Sequence, residues 1–282
     1  MACRELNDTS VDMQNEFRDF EHAGWERAAR HYPDAFGSLT RQAVDPMLDA
    51  TGVGPGTRLL DVACGPGFLA AAAAARGADA IGLDFSPAMI AEARRSHPSV
   101  VFREGDAEAL PFGSGSFDAV VMNFGLLHLA RPDVAIGEAR RVLAAGGRYG
   151  FTIWAGPEDA VGFGIALKAI EAHGRSDVGL PEGPPFFRFS SATECRRVLE
   201  LEGFSDITVR TLPLMWELQS PDDAFEALLR GGVRTAAVLR AQPPDALERI
   251  RLAVLRGVEA YARGERFEVP MPALLAAGRS PG

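Results

Sequence analysis

From about residue 57 to residue 154 the chain alternates short apolar runs with amphipathic stretches. The runs at 57–63 (TRLLDVA), 79–84 (DAIGLD), 100–104, 117–123 (FDAVVMN) and 149–154 (YGFTIW) read as five buried strands. Between them, 68–76, 87–96 and 133–143 read as helices. Ser86 is placed to cap the second helix, and Pro87 falls in its first turn, where a missing N–H matters least. The third is expected to stop at Gly146-Gly147. Continuous apolar strands interleaved with helices imply a parallel sheet covered on both faces, so this half is α/β and doubly wound.

Upstream, Trp25, Ala28, Ala29, Tyr32, Phe36 and Leu39 recur at helical spacing, followed by Val44, Met47 and Leu48 on a later helix. Residues 1–20 lack that periodicity and are expected to form a loose tail or docking arm. Downstream of the α/β half the rhythm changes. A helical stretch lies around 163–172, and a Gly/Pro-rich connection (GLPEGPPFFRF) leads to a clear helix over 191–202. Residues 207–218 read as one long strand interrupted at Pro213. Residues 221–262 read as two helical segments split at Gln242-Pro243-Pro244. Strand character returns over 267–277, where Pro270 and Pro272 point to an edge or irregular strand.

Composition narrows the function classes. Hydrophobic residues make up 47% and charged residues 24% of the 282, an ordinary globular balance. The formal charge (29 − 38 = −9) argues against a surface built to neutralise phosphates, so nucleic acid is not an expected partner. Cys3, Cys64 and Cys195 are scattered, which supports neither a disulfide framework nor a thiolate zinc site, and no metal is expected. The polar, acidic start lacks the pattern of a signal peptide. The longest apolar run, 68–75, is far below the ~20 residues of a membrane span. The expectation is a soluble, cytoplasmic protein without a membrane partner.

The chemistry concentrates in Leu59-Leu60-Asp61-Val62-Ala63-Cys64-Gly65-Pro66-Gly67. An acidic residue ends the first strand, a glycine-bearing turn follows, and a helix begins at once. Glycines there permit a tight turn and close approach of a ligand, and the helix start offers free N–H groups. A nucleotide-type ligand at the strand's carboxyl end is expected of a doubly wound sheet. The glycine spacing alone (G-P-G-F-L-A from Gly65) leaves a dinucleotide open. Asp61 weighs against it, because a carboxylate repels pyrophosphate and suits a ligand carrying an ammonium and a sulfonium.

At this point the sequence resembles the class I S-adenosylmethionine-dependent methyltransferases, in particular the group that includes quinone-biosynthesis C-methyltransferases. DVACGPG is similar to the family's first motif, with Ala63 and Cys64 varying its usual D-x-G-x-G-x-G form. IGLDFS resembles the acidic ribose motif, GDAEALPF the adenine-binding turn, and FDAVVMNFGLLHL the fourth strand with its loop. EARRVLAAGGRYGFT resembles the helix and fifth strand. The resemblance implies a Rossmann-like, seven-stranded sheet of order 3-2-1-4-5-7-6, last strand antiparallel, with S-adenosylmethionine as cofactor and S-adenosylhomocysteine as product. Asp84, seventeen residues after Gly67, would accept from both ribose hydroxyls. The family implies that Asp106 accepts from the adenine amino group and that the Ala107 N–H serves a ring nitrogen. Phe85 and Met89 would cover the adenine faces, and the Asn123 backbone would approach the methionine portion. The Asp61–Gly67 turn, with Ala63 and Gly65, would hold the amino-acid end, Asp61 acting directly or through water.

Methyl transfer needs alignment, desolvation and, for some acceptors, a base. His128 and Tyr32 are the candidates, His128 the better because its ordinary pKa lies near neutrality. The blander readings are a His128 that bonds a loop carbonyl, a Tyr32 that is simply core, and a Cys64 that is a small apolar side chain. The organisation expected is 1–50 as N-terminal tail and covering helices, 51–155 as cofactor-binding core, and 156–282 as the rest of the sheet. Helical insertions at about 156–190 and 220–264 would cover the strands' carboxyl ends and favour a small hydrophobic or aromatic acceptor. The competing use of those helices is a dimer interface, leaving monomer and homodimer open. A nicotinamide oxidoreductase and an S-adenosylmethionine-binding protein with a scaffold or non-methylating role are the alternative functions.

Overall fold

The computed structural model describes residues 2–282, with side chains from residue 12 onward, so the Cys3 side chain lies outside the described residues. The chain begins with α1 (Ala2–Ala28), a π-helical turn (Pro33–Gly37), α2 (Ser38–Arg41) and α3 (Val44–Ala50). The α/β half follows: β1 (Arg58–Val62), α4 (Phe68–Ala75), β2 (Asp79–Asp84), α5 (Pro87–Ser96), β3 (Val101–Glu104) and β4 (Phe117–Asn123). A 3-10 turn (Leu126–His128), α6 (Pro132–Val142) and β5 (Leu143–Trp154) complete it. The remainder holds α7 (Val161–His173), α8 (Ala192–Leu201), β6 (Ser205–Leu212), β7 (Met215–Leu218), α9 (Pro221–Arg230), α10 (Arg234–Arg240), α11 (Pro244–Glu259), β8 (Ala262–Arg263), β9 (Arg266–Pro270) and β10 (Ala273–Arg279).

Seven strands form one sheet in the order β3-β2-β1-β4-β5-β10-β6. The first five are parallel, and β10 runs antiparallel to both β5 and β6. Since β10 is this sheet's seventh strand in chain order, the arrangement is the expected 3-2-1-4-5-7-6. Order reverses between β1 and β4, the switch point at which open α/β sheets bind ligands. One apolar core runs from Leu39 and Met47 through the central strands to Val254 and Val258 of α11.

Four expectations change. Residues 2–20 belong to α1 and are not a loose tail. The helix leaves no apolar stripe there because, over 12–20, Phe17 is the one buried side chain and the rest face outward or lie partly exposed. Gly146-Gly147 lies inside β5 and does not end α6; the register slips there, and a Cβ on Gly147 would sit 2.9 Å from the Asp118 carbonyl oxygen. The two long terminal strands are each broken. Residues 205–212 pair with β10 in the main sheet, whereas β7 pairs with β9 in a separate three-stranded sheet. The ladder leaves the main sheet where Pro213 and Pro272 withdraw their N–H groups. Finally, Gly231-Gly232 splits the 221–262 insertion once more, giving three helices. Among the described residues no helix is long and apolar enough to cross a membrane.

Candidate active site

A cleft at the carboxyl ends of β1, β2 and β4 encloses about 850 Å3, mouth included. It is lined by Tyr32, Asp61, Ala63, Gly65, Asp84, Phe85, Met89, Asp106, Ala107, Asn123 and His128. Those are the residues singled out from the sequence, with Gly67 the exception. Gly67 caps α4 at φ 82°, and a Cβ there would lie 2.5 Å from the Phe102 ring and 3.1 Å from Ala93. Its bareness lets α4 start tight against β3 and α5; the glycine facing open cleft is Gly65 (φ 51°), whose Cβ would meet nothing nearer than Met89 Sδ at 4.0 Å. Ala63 takes a family glycine's place at φ 54°, a left-handed conformation that costs ~1–2 kcal/mol for an L-residue. Gly125 makes room opposite it: a Cβ there would approach the Ala63 methyl to 2.7 Å.

The two acids differ in how they are satisfied. Asp84 accepts from the Gly65 N–H (2.8 Å) and the Ser86 N–H (2.9 Å), which aim the carboxylate and leave further lone pairs open. Burial pushes its pKa up to about 6. Asp61 accepts from the Ala70 N–H (3.0 Å) through Oδ2, while its buried Oδ1 has no partner. Burial pushes that carboxyl up to about 8. Without a ligand the carboxyl keeps its proton at neutral pH; a cationic group set against the unpartnered Oδ1 would draw the proton off and pair with the carboxylate, which a phosphate cannot do.

The Asp61 proton makes stability pH-dependent. An exposed aspartate releases its proton near 3.9, so between there and about 8 the folded state binds more protons than the unfolded state. Stability is full at the acidic end of that window and falls as pH rises through it, by at most ~1.4 kcal/mol per pH unit. Thermal melts of the ligand-free protein should show Tm declining between pH 5 and pH 8, and a flatter profile in Asp61→Asn.

Asp106 accepts from the Glu108 N–H (2.9 Å) and pairs with Arg18 of α1 at 2.8 Å. Glu26 of α1 accepts from the Ser86 hydroxyl and the Ala88 N–H, and His22 meets the Phe85 ring edge-on at 5.2 Å. The first helix is therefore laid across the cleft mouth. The Asn123 side chain is a brace: it accepts from the Thr152 hydroxyl (2.6 Å) and donates to the Thr40 carbonyl (3.2 Å), which leaves its backbone on the cleft wall. Burial raises the Cys64 thiol well above its ordinary value, so it is a small inert wall residue.

A second chamber of about 530 Å3, its open mouth included, adjoins the first and shares Trp25, Tyr32, Thr40, Phe124 and His128 with it. Its far walls are four aromatic rings (Phe36, Trp154, Phe163 and Phe186), Leu228 and the 231–235 segment, which brings Arg234 and Thr235 to it. The Tyr32 hydroxyl donates to Thr40 Oγ1 (3.2 Å), and burial pushes its pKa up to about 12. The raised value favours the protonated phenol at neutral pH. His128 packs edge-on to Trp25 at 4.7 Å, and its Nδ1 lies 3.0 Å from Glu21 Oε2. Glu21 is fully buried and also accepts from Arg234 Nε at 2.8 Å. Sequence reasoning missed Arg18, Glu21 and Arg234. The one signal was the charge of Glu21 at an inward-facing helix position, since the partners stand far off in the chain.

The comparisons agree with this geometry. Residues 60–151 match the model of a methyltransferase-domain family. A demethylmenaquinone methyltransferase of Beutenbergia cavernae is 46% identical over 101 residues, 36% of this chain and 42% of that protein. One from Thermus thermophilus is 46% identical over 114 residues, 38% of this chain and 50% of that protein. The chain thus spans about half the length, or less, of these curated relatives. A solved phosphoethanolamine N-methyltransferase 2 of Haemonchus contortus, with phosphomonomethylethanolamine and S-adenosylhomocysteine, shares the fold at a TM-score of 0.58. It is 19% identical, over 94% of this chain and 60% of that one. The fold is that of the Rossmann-like methyltransferases. Over the core that carries the motifs, the resemblance to class I S-adenosylmethionine-dependent methyltransferases, and to their quinone-biosynthesis group, is borne out.

Proposed function

We propose that this protein transfers the methyl group of S-adenosylmethionine to a small, largely apolar aromatic acceptor, releasing S-adenosylhomocysteine. The observation that carries this reading is the aromatic chamber opening onto the acid-lined cleft through a shared wall of Trp25, Tyr32, Phe124 and His128. The unpartnered Asp61 Oδ1 suits the cofactor's ammonium and disfavours a dinucleotide's pyrophosphate. Asp84 would take the ribose, Asp106 and the Ala107 N–H the adenine, and Phe85 and Met89 its faces. Gly65 and Ala63, with the Asn123 backbone, would flank the methionine portion. When bound, S-adenosylmethionine supplies an electrophilic methyl on a cationic sulfur.

The protein's own task is to align the acceptor, exclude water and hold the proton the acceptor gives up. His128, on the wall common to both spaces, would take that proton as the acceptor–methyl bond forms. These curated relatives align over little more than a third of this chain, and Trp25, Phe163, Phe186 and Leu228 lie outside the 60–151 that the family model matches. Their names therefore support the chemistry more than the acceptor, and a demethylated naphthoquinol is the first acceptor to try. Residues 1–50 and the two insertions act as covers around the 51–155 core, in a cytoplasmic enzyme working as monomer or homodimer. The reading is tested by mass-spectrometric methyl transfer from deuteromethyl-labelled S-adenosylmethionine to a panel of phenols, quinols and amines. A labelled aromatic product supports it; cofactor binding without transfer to any member would favour the non-methylating alternative.

The cover predicts a ligand-dependent protection. Leu228 and the 231–235 segment line the chamber, so S-adenosylhomocysteine should slow hydrogen exchange in 221–259 at concentrations where the protein is monomeric. Protection that follows protein concentration and ignores ligand would make these helices an oligomer interface.

A further inference from the structure

We propose that Glu21 is the positioning residue for His128, fixing the imidazole with its proton on Nδ1 and Nε2 bare at the junction of the two chambers. The inference rests on the methyl-transfer reading only for its catalytic consequence. Glu21 has no exposed surface, and each of its oxygens has a different cation-capable partner: Oε1 the Arg234 Nε (2.8 Å), Oε2 the His128 Nδ1 (3.0 Å). Arg234 is itself tied down, donating to the carbonyls of Pro184 and Leu127 (2.7 Å each) and lying over the Phe17 ring at 4.5 Å. It sets a guanidinium against the buried carboxylate, so Glu21 is not left without a partner charge. A carboxylate can only accept, so the atom facing it must be an N–H. The neutral ring then has one tautomer, with Nε2 as the acceptor; among the described residues Nε2 has no protein partner. Trp25 fixes the ring plane by its edge-on contact.

A purely structural role would be met equally well by any group that ties α1 to the 3-10 turn and α10. A tautomer-fixing role requires an acceptor at Oε2. Glutamine separates the two: its oxygen is claimed by Arg234, so its NH2 faces His128 and reverses the tautomer, leaving Nε2 protonated.

The test is 15N NMR of the histidine rings of the ligand-free protein, for wild type, Glu21→Gln and Glu21→Asp, alongside methyl transfer and S-adenosylhomocysteine calorimetry. The assignment of the His128 signal comes from His128→Gln. Expected are an Nδ1–H ring in the wild type and a shift toward Nε2–H in Glu21→Gln. With it comes a loss of turnover of about 10–100-fold at unchanged cofactor affinity. Glu21→Asp should recover part of both. In a His128→Gln background, Glu21→Gln should cost no further turnover, whereas a merely structural contact would lower it again. An unchanged ring tautomer in Glu21→Gln overturns the inference whatever the enzyme's activity. A reversed tautomer at full turnover also overturns its catalytic consequence, and places that failure in the base role of His128. If Glu21→Gln does not fold, the wild-type tautomer and Glu21→Asp still decide: an Nε2–H ring in the wild type refutes the proposal.

Discussion

His128→Ala should lower turnover by about 10²–10⁴ while leaving S-adenosylhomocysteine affinity near that of the wild type. The magnitude is that of a general base, and the split follows from position. His128 stands on the wall between the two chambers, whereas the groups proposed for the ammonium, ribose and adenine are Asp61, Asp84 and Asp106 across the cleft. Removing the imidazole leaves Glu21 paired with Arg234, so no buried charge is orphaned. Single-turnover rates measured beside calorimetry check this. Full turnover in His128→Ala on an acceptor that must lose a proton would make alignment alone sufficient.

Gly67→Val should do the opposite, damaging the fold before the chemistry. The added Cβ would sit 2.5 Å from Phe102 and 3.1 Å from Ala93, at φ 82°, where a β-branched residue is strained. Strain and overpacking together should cost roughly 2–5 kcal/mol, a large part of a domain's usual 5–15. A Tm loss on the order of 5–15 °C follows. Phe102→Leu should recover part of it, because the clash is with that ring. Gly65→Ala, by contrast, meets only open cleft, so it should lose cofactor affinity with a smaller change in Tm. A Gly67→Val protein that melts like the wild type yet fails to bind would return Gly67 to the ligand face.

The contrast between these glycines shows where the sequence was readable. Strand–helix alternation sets Asp61 and Asp84 at neighbouring strand ends, the family resemblance adds Asp106, and His128 follows in the loop after the fourth strand; all four line one cleft. That Gly67 faces Phe102 depends on how α4 lies against β3, which no local pattern records. The same holds for Glu21, whose partners are 107 and 213 residues away. In the second half, alternation found the strands. Only pairing showed that each splits between two sheets at Pro213 and Pro272. The aromatic chamber is built from segments as distant as Trp25, Phe163 and Leu228, so amphipathic helices point to a cover while its lining is not legible in the sequence.

The most direct measurement is titration calorimetry of S-adenosylhomocysteine and NAD into the wild-type protein and Asp84→Ala. Asp84 is oriented by two backbone N–H groups at the centre of the proposed site, and charged hydrogen bonds to two hydroxyls are worth ~1.5–3 kcal/mol. The expected result is one S-adenosylhomocysteine per chain, binding at least about tenfold weaker in Asp84→Ala, and no NAD binding. Equal affinity in the two proteins, or NAD binding in preference, would contradict the assignment of this cleft.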